Sequence, residues 1–259
     1  MLLIDVGNSN TVLGVADETS AELAATFRFA SVRDRTADEW YGQIAPMIAR
    51  SFPNSSLFKD MIVSSVVPAI TGPITEVGRR FFNVEPMLVS ADLDFGLRIE
   101  VENPTEVGSD RLINAAIAFE MFCGPVIVVD LGTATKIEAV SEAGAYIGGV
   151  IAPGLGLSLD ALAGRAAKLY AVELKPIDRA IGTDTISAVQ SGVVNGHIEM
   201  IEGMISRVSN ELGAPRHVVM TGGFSSVIAG HTPRVTDYVP DLTILGLRFV
   251  LQRNRDRTR

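Results

Sequence analysis

Cysteine is nearly absent. Cys123 is the only one in 259 residues, which excludes an intrachain disulfide and a cysteine-cluster zinc site and fits a reducing, cytoplasmic setting. His197, His217 and His231 are the only histidines and share no metal-ligand spacing, so structural roles are expected of them. Basic residues are outnumbered, 22 Lys+Arg against 30 Asp+Glu, and the formal charge of −8 argues against a general grip on nucleic acid or an anionic membrane. Any anionic ligand must be held locally. The longest uncharged stretch, 143–159, is broken by Pro153 and several glycines and falls short of the roughly 20 apolar residues of a spanning helix, so no transmembrane segment is expected. Met1-Leu2-Leu3-Ile4 meets a carboxylate at Asp5 with no basic or long apolar leader, so no signal peptide is expected. Also missing are G-x-x-x-x-G-K-[ST] and a complete G-x-G-x-x-G, since Gly154-Leu155-Gly156 lacks the third glycine. No Ser-His-Asp order with a nucleophile elbow appears, which makes a hydrolase a poor reading.

What remains, 47% hydrophobic and 20% charged, is a globular composition with room for one large domain or two small ones. An internal near-repeat favours two. Leu3-Ile4-Asp5-Val6-Gly7-Asn8-Ser9-Asn10-Thr11-Val12 lines up without gaps against Val128-Val129-Asp130-Leu131-Gly132-Thr133-Ala134-Thr135-Lys136-Ile137. Each copy is an apolar strand, Asp-x-Gly and a small polar turn. A second β-rich segment follows (11–16 and 136–141), then a third apolar run (24–29 and 146–152), so each half reads as a hairpin-led sheet.

Helices follow in each half. Thr36-Ala37-Asp38-Glu39 has capping-box spacing ahead of Trp40, Ile44, Met47 and Ile48 on one face, with Pro46 expected to kink or end the helix. A strand over 61–67 closes at Pro68, 74–82 is helix-like, and a helix from Ser109 to Phe122 links the halves with Leu112, Ile113, Ala116, Ile117 and Phe119 inward. Ile186, Val189, Val193, Ile198, Ile201, Ile205, Val208 and Leu212 recur at helical spacing, forming one long and interruptible helix that stops at Gly213, with Thr183 or Thr185 as its cap. A strand from His217 runs into Thr221-Gly222-Gly223 and a short helix over 224–229. The tail 253–259 has no apolar anchor and is expected to fray, and Cys123 is read as a small buried side chain. With no Gly/Ser- or Pro-rich linker, the halves, 1–117 and 118–259, are expected to pack around a shared cleft.

A strand ending in Asp-x-Gly puts a carboxylate beside a glycine whose missing side chain lets backbone N–H groups approach an anion. One such turn is ordinary hairpin chemistry. Two of them, Asp5-Val6-Gly7-Asn8 and Asp130-Leu131-Gly132-Thr133, can hold the β- and γ-phosphates of a nucleotide, with carboxylates placed for Mg²⁺. Gly222 and Gly223 suit a flat base approaching backbone. Asp110 and Arg111 sit at a helix start, where Asp110 can take a proton from a hydroxyl and Arg111 offers a planar donor fork; plain helix capping is the simpler alternative for this segment alone.

Taken in order, Asp5-Val6-Gly7-Asn8-Ser9, Glu106-Val107-Gly108-Ser109-Asp110-Arg111, Asp130 to Thr135, Gly148 to Gly154 and Thr221-Gly222-Gly223 resemble type III pantothenate kinases over nearly the whole chain. The resemblance implies an α/β fold of two actin-like (ribonuclease H-like) domains, each a mixed sheet flanked by helices, with an interdomain cleft. It implies ATP-dependent phosphorylation of pantothenate, the first step of coenzyme A synthesis, by a homodimer that uses Mg²⁺ and a monovalent cation, K⁺ or NH₄⁺. It assigns ATP to Asp5, Val6, Gly7, Asn8, Ser9, Asn10, Thr11, Val12, Thr133, Gly222 and Gly223. Pantothenate falls to Gly108, Ser109, Asp110, Arg111 and Thr185, with Asp110 as general base. The monovalent cation falls to Asp130, and Mg²⁺, through water, to Asp5.

Three positions depart from the family pattern: Ser109 replaces an alanine, Lys168-Leu169-Tyr170-Ala171 lacks a leucine-proline pair, and Lys136 replaces a threonine after the second phosphate turn. Strand alternation points Lys136 outward as a surface lysine. Two alternatives stay open: its ammonium replaces the monovalent cation or contacts a phosphate, or it marks a non-catalytic paralogue with a regulatory role. An enzyme of the same fold with another hydroxyl acceptor is a further alternative.

Overall fold

The computed structural model describes all residues except 19, 21, 53–57, 165–171 and 256–259. The chain divides into two compact units, one made of Met1–Gly96, Asn103–Ile117 and Thr243–Arg259, the other of Leu97–Glu102 and Ala118–Leu242. The chain therefore changes unit after Ile117, and also lends 97–102 to the second unit and 243–259 to the first.

The first unit holds β1 (Leu2–Val6), β2 (Asn10–Ala16), β3 (Leu23–Ala30), β4 (Met61–Ser65) and β5 (Pro86–Leu88), in the order β3-β2-β1-β4-β5. The hairpin partners of β1 are antiparallel to it or to one another, whereas β4 runs parallel to β1. Helix α1 (Ala37–Ser51) begins at Thr36, whose hydroxyl accepts the Glu39 N–H while the Glu39 carboxylate accepts the Thr36 N–H, the reciprocal pair that its sequence spacing predicts. Trp40, Ile44 and Ile48 are buried, but Met47 is exposed. The helix continues past Pro46 to Ser51 instead of ending there. Pro46 and Gly42 both lie on the exposed side, so the Gly42 carbonyl that loses its helical donor can turn to water.

Helix α2 (Pro68–Val77) starts with proline at a position that needs no N–H, and passes into a π-helical turn, Gly78–Phe82. Helix α3 (Ser109–Phe122) matches its predicted bounds, though Phe119 is only half-buried. Cys123 follows in the left-handed region at φ 52° and is exposed, not buried, because it serves as the left-handed stop of α3.

The first unit also takes α8 (Leu242–Asn254), a helix that sequence pattern misses. Its Ile244 lies on Gly14 of β2 so closely that a Cβ at Gly14 would overlap it. The chain end is tied down by polar groups: Asn254 is fully buried and exchanges hydrogen bonds of 2.9 Å with the backbone of Asp94, and Arg253 reaches the Asp94 carboxylate at 2.8 Å. Arg255 pairs with Glu18 and Asp60. The expected fraying therefore does not extend to 253–255, and 256–259 lie outside the described residues.

The second unit repeats the plan with β6 (Arg98–Ile99), β7 (Val126–Leu131), β8 (Ala134–Val140), β9 (Ala145–Pro153), β10 (His217–Thr221) and β11 (Asp237–Tyr238), in the order β11-β10-β7-β8-β9-β6. Reading outward from β7, the hairpin strands lie on one side and the parallel β10 and β11 on the other, as in the first sheet. Every residue of β7 is buried, as a strand covered on both faces must be. Around it lie α4 (Leu155–Ala163), α5 (Thr185–Gln190), a π-helical turn Ser191–Asn195, α6 (Gly196–Leu212) and α7 (Ser225–Ile228). The long helix is thus interrupted by the π turn and stops at Gly213 with φ 88°. Its N-cap is Asp184, bonded to the Ser187 N–H at 3.0 Å, rather than Thr183 or Thr185. The Lys168 to Ala171 departure lies outside the described residues.

The two hairpins differ by one residue. Val6 pairs with Thr11, but Leu131 pairs with Thr135, so the second turn is one residue shorter and the ungapped alignment runs one position out of step beyond it. Thr11 and Thr135 are the true counterparts, each 1% exposed.

Candidate functional site

In the first unit Asp5 stands near the end of β1, with the turn Gly7 to Asn10 just beyond it. The turn is closed by the Gly7 N–H donating to the Asn10 carbonyl at 3.0 Å, and Asn8, Ser9 and Asn10 are exposed. Ser31, just past β3, clamps this turn. Its hydroxyl donates to the Gly7 carbonyl at 2.6 Å, its N–H donates to the Ser9 carbonyl at 3.0 Å, and its Oγ lies 2.9 Å from Thr11 Oγ1. No sequence motif flags Ser31, because it acts across 24 positions of chain.

Asp5 is the register partner of Ser64 on β4, and the Ser64 hydroxyl is 2.9 Å from the Ser109 hydroxyl at the start of α3. This bond sets the first turn of α3 beside the strand end that carries Asp5. Ser109 therefore has a partner in buried Ser64. Within that turn the Arg111 N–H donates to Asp110 Oδ1 at 2.9 Å and to the Gly108 carbonyl at 3.0 Å. The structure thus brings Asp5, Gly7, Gly108, Ser109, Asp110 and Arg111 onto neighbouring ends of β1, β4 and α3.

In the second unit Gly132 and Thr133 form the turn after β7, with the Gly132 N–H donating to the Ala134 carbonyl at 3.1 Å and Thr133 exposed. The Gly154 N–H donates to the Thr133 carbonyl at 3.1 Å, and the Phe224 N–H donates to the Leu131 carbonyl at 2.9 Å. Gly222 has φ +98° and lies so close that a Cβ would come 2.5 Å from the Leu131 nitrogen and 2.6 Å from Asp130 Oδ1. The predicted phosphate turn and the predicted glycine pair after β10 are therefore packed against each other, which the parallel register of Thr221 with Asp130 requires.

Lys136 does not point outward. It is the direct cross-strand partner of Asp130, and partners in an antiparallel pair project to the same face. Its ammonium is 2.7 Å from Asp130 Oδ2, with the two side chains only 14% and 12% exposed. Alternation along β8 does put Lys136 on the face opposite core residue Ile137, but that face carries Asp130 and the buried Glu138 rather than open solvent.

Thr135, on the opposite face of β8, meets His197 of α6, with Oγ1 2.7 Å from Nε2. Burial pushes the His197 imidazole below its usual range. Beside it lies a mostly apolar cavity of about 870 Å³ bordered by Ser158, Ala161, Leu162, Val193 and Met200. Thr185 opens α5 and is exposed. Among the described residues there is no group of three or more His, Cys, Asp or Glu that could hold a metal ion by itself, and no helix is long and apolar enough to cross a membrane.

The family profile described as type III pantothenate kinase matches residues 1–207. The type III pantothenate kinase of Moorella thermoacetica is 42% identical over 256 residues, covering 98% of this chain and 99% of that one. That of Thermomicrobium roseum is 41% identical over 253 residues, covering 98% and 97%. Among solved structures, component A of (R)-2-hydroxyglutaryl-CoA dehydratase from Acidaminococcus fermentans is similar with a TM-score of 0.57 at 14% identity, covering 100% of this chain and 99% of that one. A 2-dehydro-3-deoxygalactonokinase homologue from Sinorhizobium meliloti gives 0.57 at 13% identity, covering 97% and 98%. At these identities the structural likeness speaks for the fold alone.

Two repeated α/β units, each with a strand-end aspartate and a glycine turn, give the chain an actin-like (ribonuclease H-like) fold. Within that fold class the chain belongs to the type III pantothenate kinase family.

Proposed function

We propose that this protein transfers the γ-phosphoryl group of ATP to the primary hydroxyl of pantothenate, giving 4′-phosphopantothenate and ADP at the start of coenzyme A biosynthesis. Family membership over nearly the full chain carries this reading. The clamped turn of Asp5 to Val12 supports a role in holding ATP phosphates, and Thr133, Gly222 and Gly223 support a nucleotide role in the second unit. Gly108 to Arg111 and Thr185 are assigned to pantothenate.

Phosphoryl transfer leaves the protein mainly to align two oxygens about phosphorus and to neutralise charge. The hydroxyl oxygen of pantothenate bonds to the γ-phosphorus as the bond to the ADP oxygen breaks. The hydroxyl proton passes to the Asp110 carboxylate, a base of adequate strength because the proton leaves late. Arg111 offers its planar fork to an anionic or polar group of the substrate. Mg²⁺ fits a site of one aspartate plus phosphates and water, a common arrangement for this ion, and Asp5 is the residue that would hold it. It would supply neutralisation of phosphate charge.

We also read the enzyme as a cytoplasmic homodimer. The second unit supports a partner copy with exposed Ile147 and Ile151 on one face of β9, exposed Leu157 and Leu162 on α4, and exposed Ile181 and Ile186 at α5. The monovalent cation implied for Asp130 does not fit, since the Lys136 ammonium stands on that carboxylate.

The test is ADP release by purified protein with MgATP, with and without pantothenate, in K⁺ and in Na⁺. Pantothenate-dependent turnover is expected. Equal ADP release with and without pantothenate, or none from protein that binds ATP, would point to another acceptor or a non-catalytic paralogue.

A further inference from the structure

We infer that Lys136 is a tethered replacement for the monovalent cation, so that nucleotide binding in this chain needs neither K⁺ nor NH₄⁺. The inference deepens the kinase reading and rests on it only in placing Asp130 beside bound nucleotide. Asp130 and Lys136 sit directly across from each other on β7 and β8, 2.7 Å apart and largely withdrawn from solvent. A carboxylate so placed needs a positive partner, since an unpaired buried charge is costly.

The backbone settles which partner it gets. On one side Gly222 lies against Oδ1, close enough that even a Cβ would intrude. On the other, Lys136 reaches Oδ2 from the neighbouring strand of the same rigid hairpin. A free cation seeking Asp130 would have to displace an ammonium whose stem is anchored in the sheet. K⁺ and the lysine ammonium carry the same single charge, but the ammonium is always present at its site, whereas K⁺ binds by mass action. The substitution of lysine for threonine therefore exchanges a concentration-dependent charge for a fixed one.

The experiment measures the Kd of MgATP by calorimetry on the full-length protein, in potassium chloride and in choline chloride at equal ionic strength, without pantothenate. Thermal unfolding of nucleotide-free protein in the same two salts gives a second readout. For the unaltered protein, the Kd values are expected to agree within about twofold and the unfolding temperatures to coincide. Lys136→Thr, which opens the place beside Asp130, is expected to bind MgATP about tenfold more weakly in choline and to recover in potassium, the scale of one charge-assisted contact. Lys136→Met fills the place without charge and is expected to bind weakly in both salts.

A fivefold or greater tightening of the unaltered protein by potassium would overturn the inference, as would a Lys136→Thr protein indifferent to salt with undiminished affinity. The comparison on the unaltered protein decides the matter even if a variant does not fold. Failure of the kinase reading shows separately, as ADP release that ignores pantothenate.

Discussion

Gly222 and Asp130 touch across the seam between β10 and β7, with the glycine Cα turned so that any side chain would run into the Asp130 carboxylate and the Leu131 backbone. Gly222→Ala must meet both that crowding and a φ of +98°, which L-residues rarely adopt. The expected cost is about 2–4 kcal/mol of stability, read from the denaturant midpoint. Weaker nucleotide affinity should accompany it. A variant as stable as its parent would show that β10 and the Asp130 turn are not packed in this way.

Ser31 supports the first glycine turn from outside its motif. Ser31→Ala removes a donor to the Gly7 carbonyl and the contact with Thr11 while leaving the backbone bond to Ser9. A loss of about 1–2 kcal/mol is expected. The Kd for MgATP should rise severalfold with kcat nearly unchanged, separating a positioning residue from one that acts in the chemistry.

Asp110→Asn keeps size and hydrogen-bonding capacity but cannot take a proton at that oxygen. Turnover is expected to fall by a factor of about 10² to 10⁴, with ATP affinity within about threefold of the parent. Parallel losses in kcat and in ATP affinity would remove Asp110 from the role of base.

His197 makes stability depend on pH. Burial holds its folded pKa below the ordinary value of about 6.5, so the unfolded chain binds the proton more readily than the folded one. Its contribution is therefore fully present above about pH 6.5 and is lost as pH falls through the lower, folded value. Urea midpoints between about pH 7.5 and about pH 5 should decline on acidification. His197→Gln, which can still meet Thr135 Oγ1, should flatten that slope; an unchanged slope would assign it to other groups.

The exposed apolar residues of β9 and of the segment leading into α5 bear on assembly. Ile151 is 62% exposed and Ile181 78% exposed, values unusual for isoleucine in a single chain. Ile151→Glu should shift the sedimenting species from dimer to monomer without lowering the unfolding midpoint of the subunit. A parent protein that sediments as a monomer at micromolar concentration would dispose of the dimer.

Much of this protein is legible in its sequence because the relevant forces are local. The Thr36–Glu39 box, the bounds of α3 and the paired Asp-x-Gly turns all follow from residues a few positions apart. Tertiary structure decided what depends on distant partners. Helix α8 owes its place to Gly14 and to Asp94, and Ser31 finds its turn 24 positions away. The placement of Lys136 turned on what covers its face of the sheet. Alternation sets Lys136 opposite Ile137, but only the folded chain puts Asp130 directly across from it and withdraws that face from water, which decides between a solvated lysine and the counter-ion of Asp130.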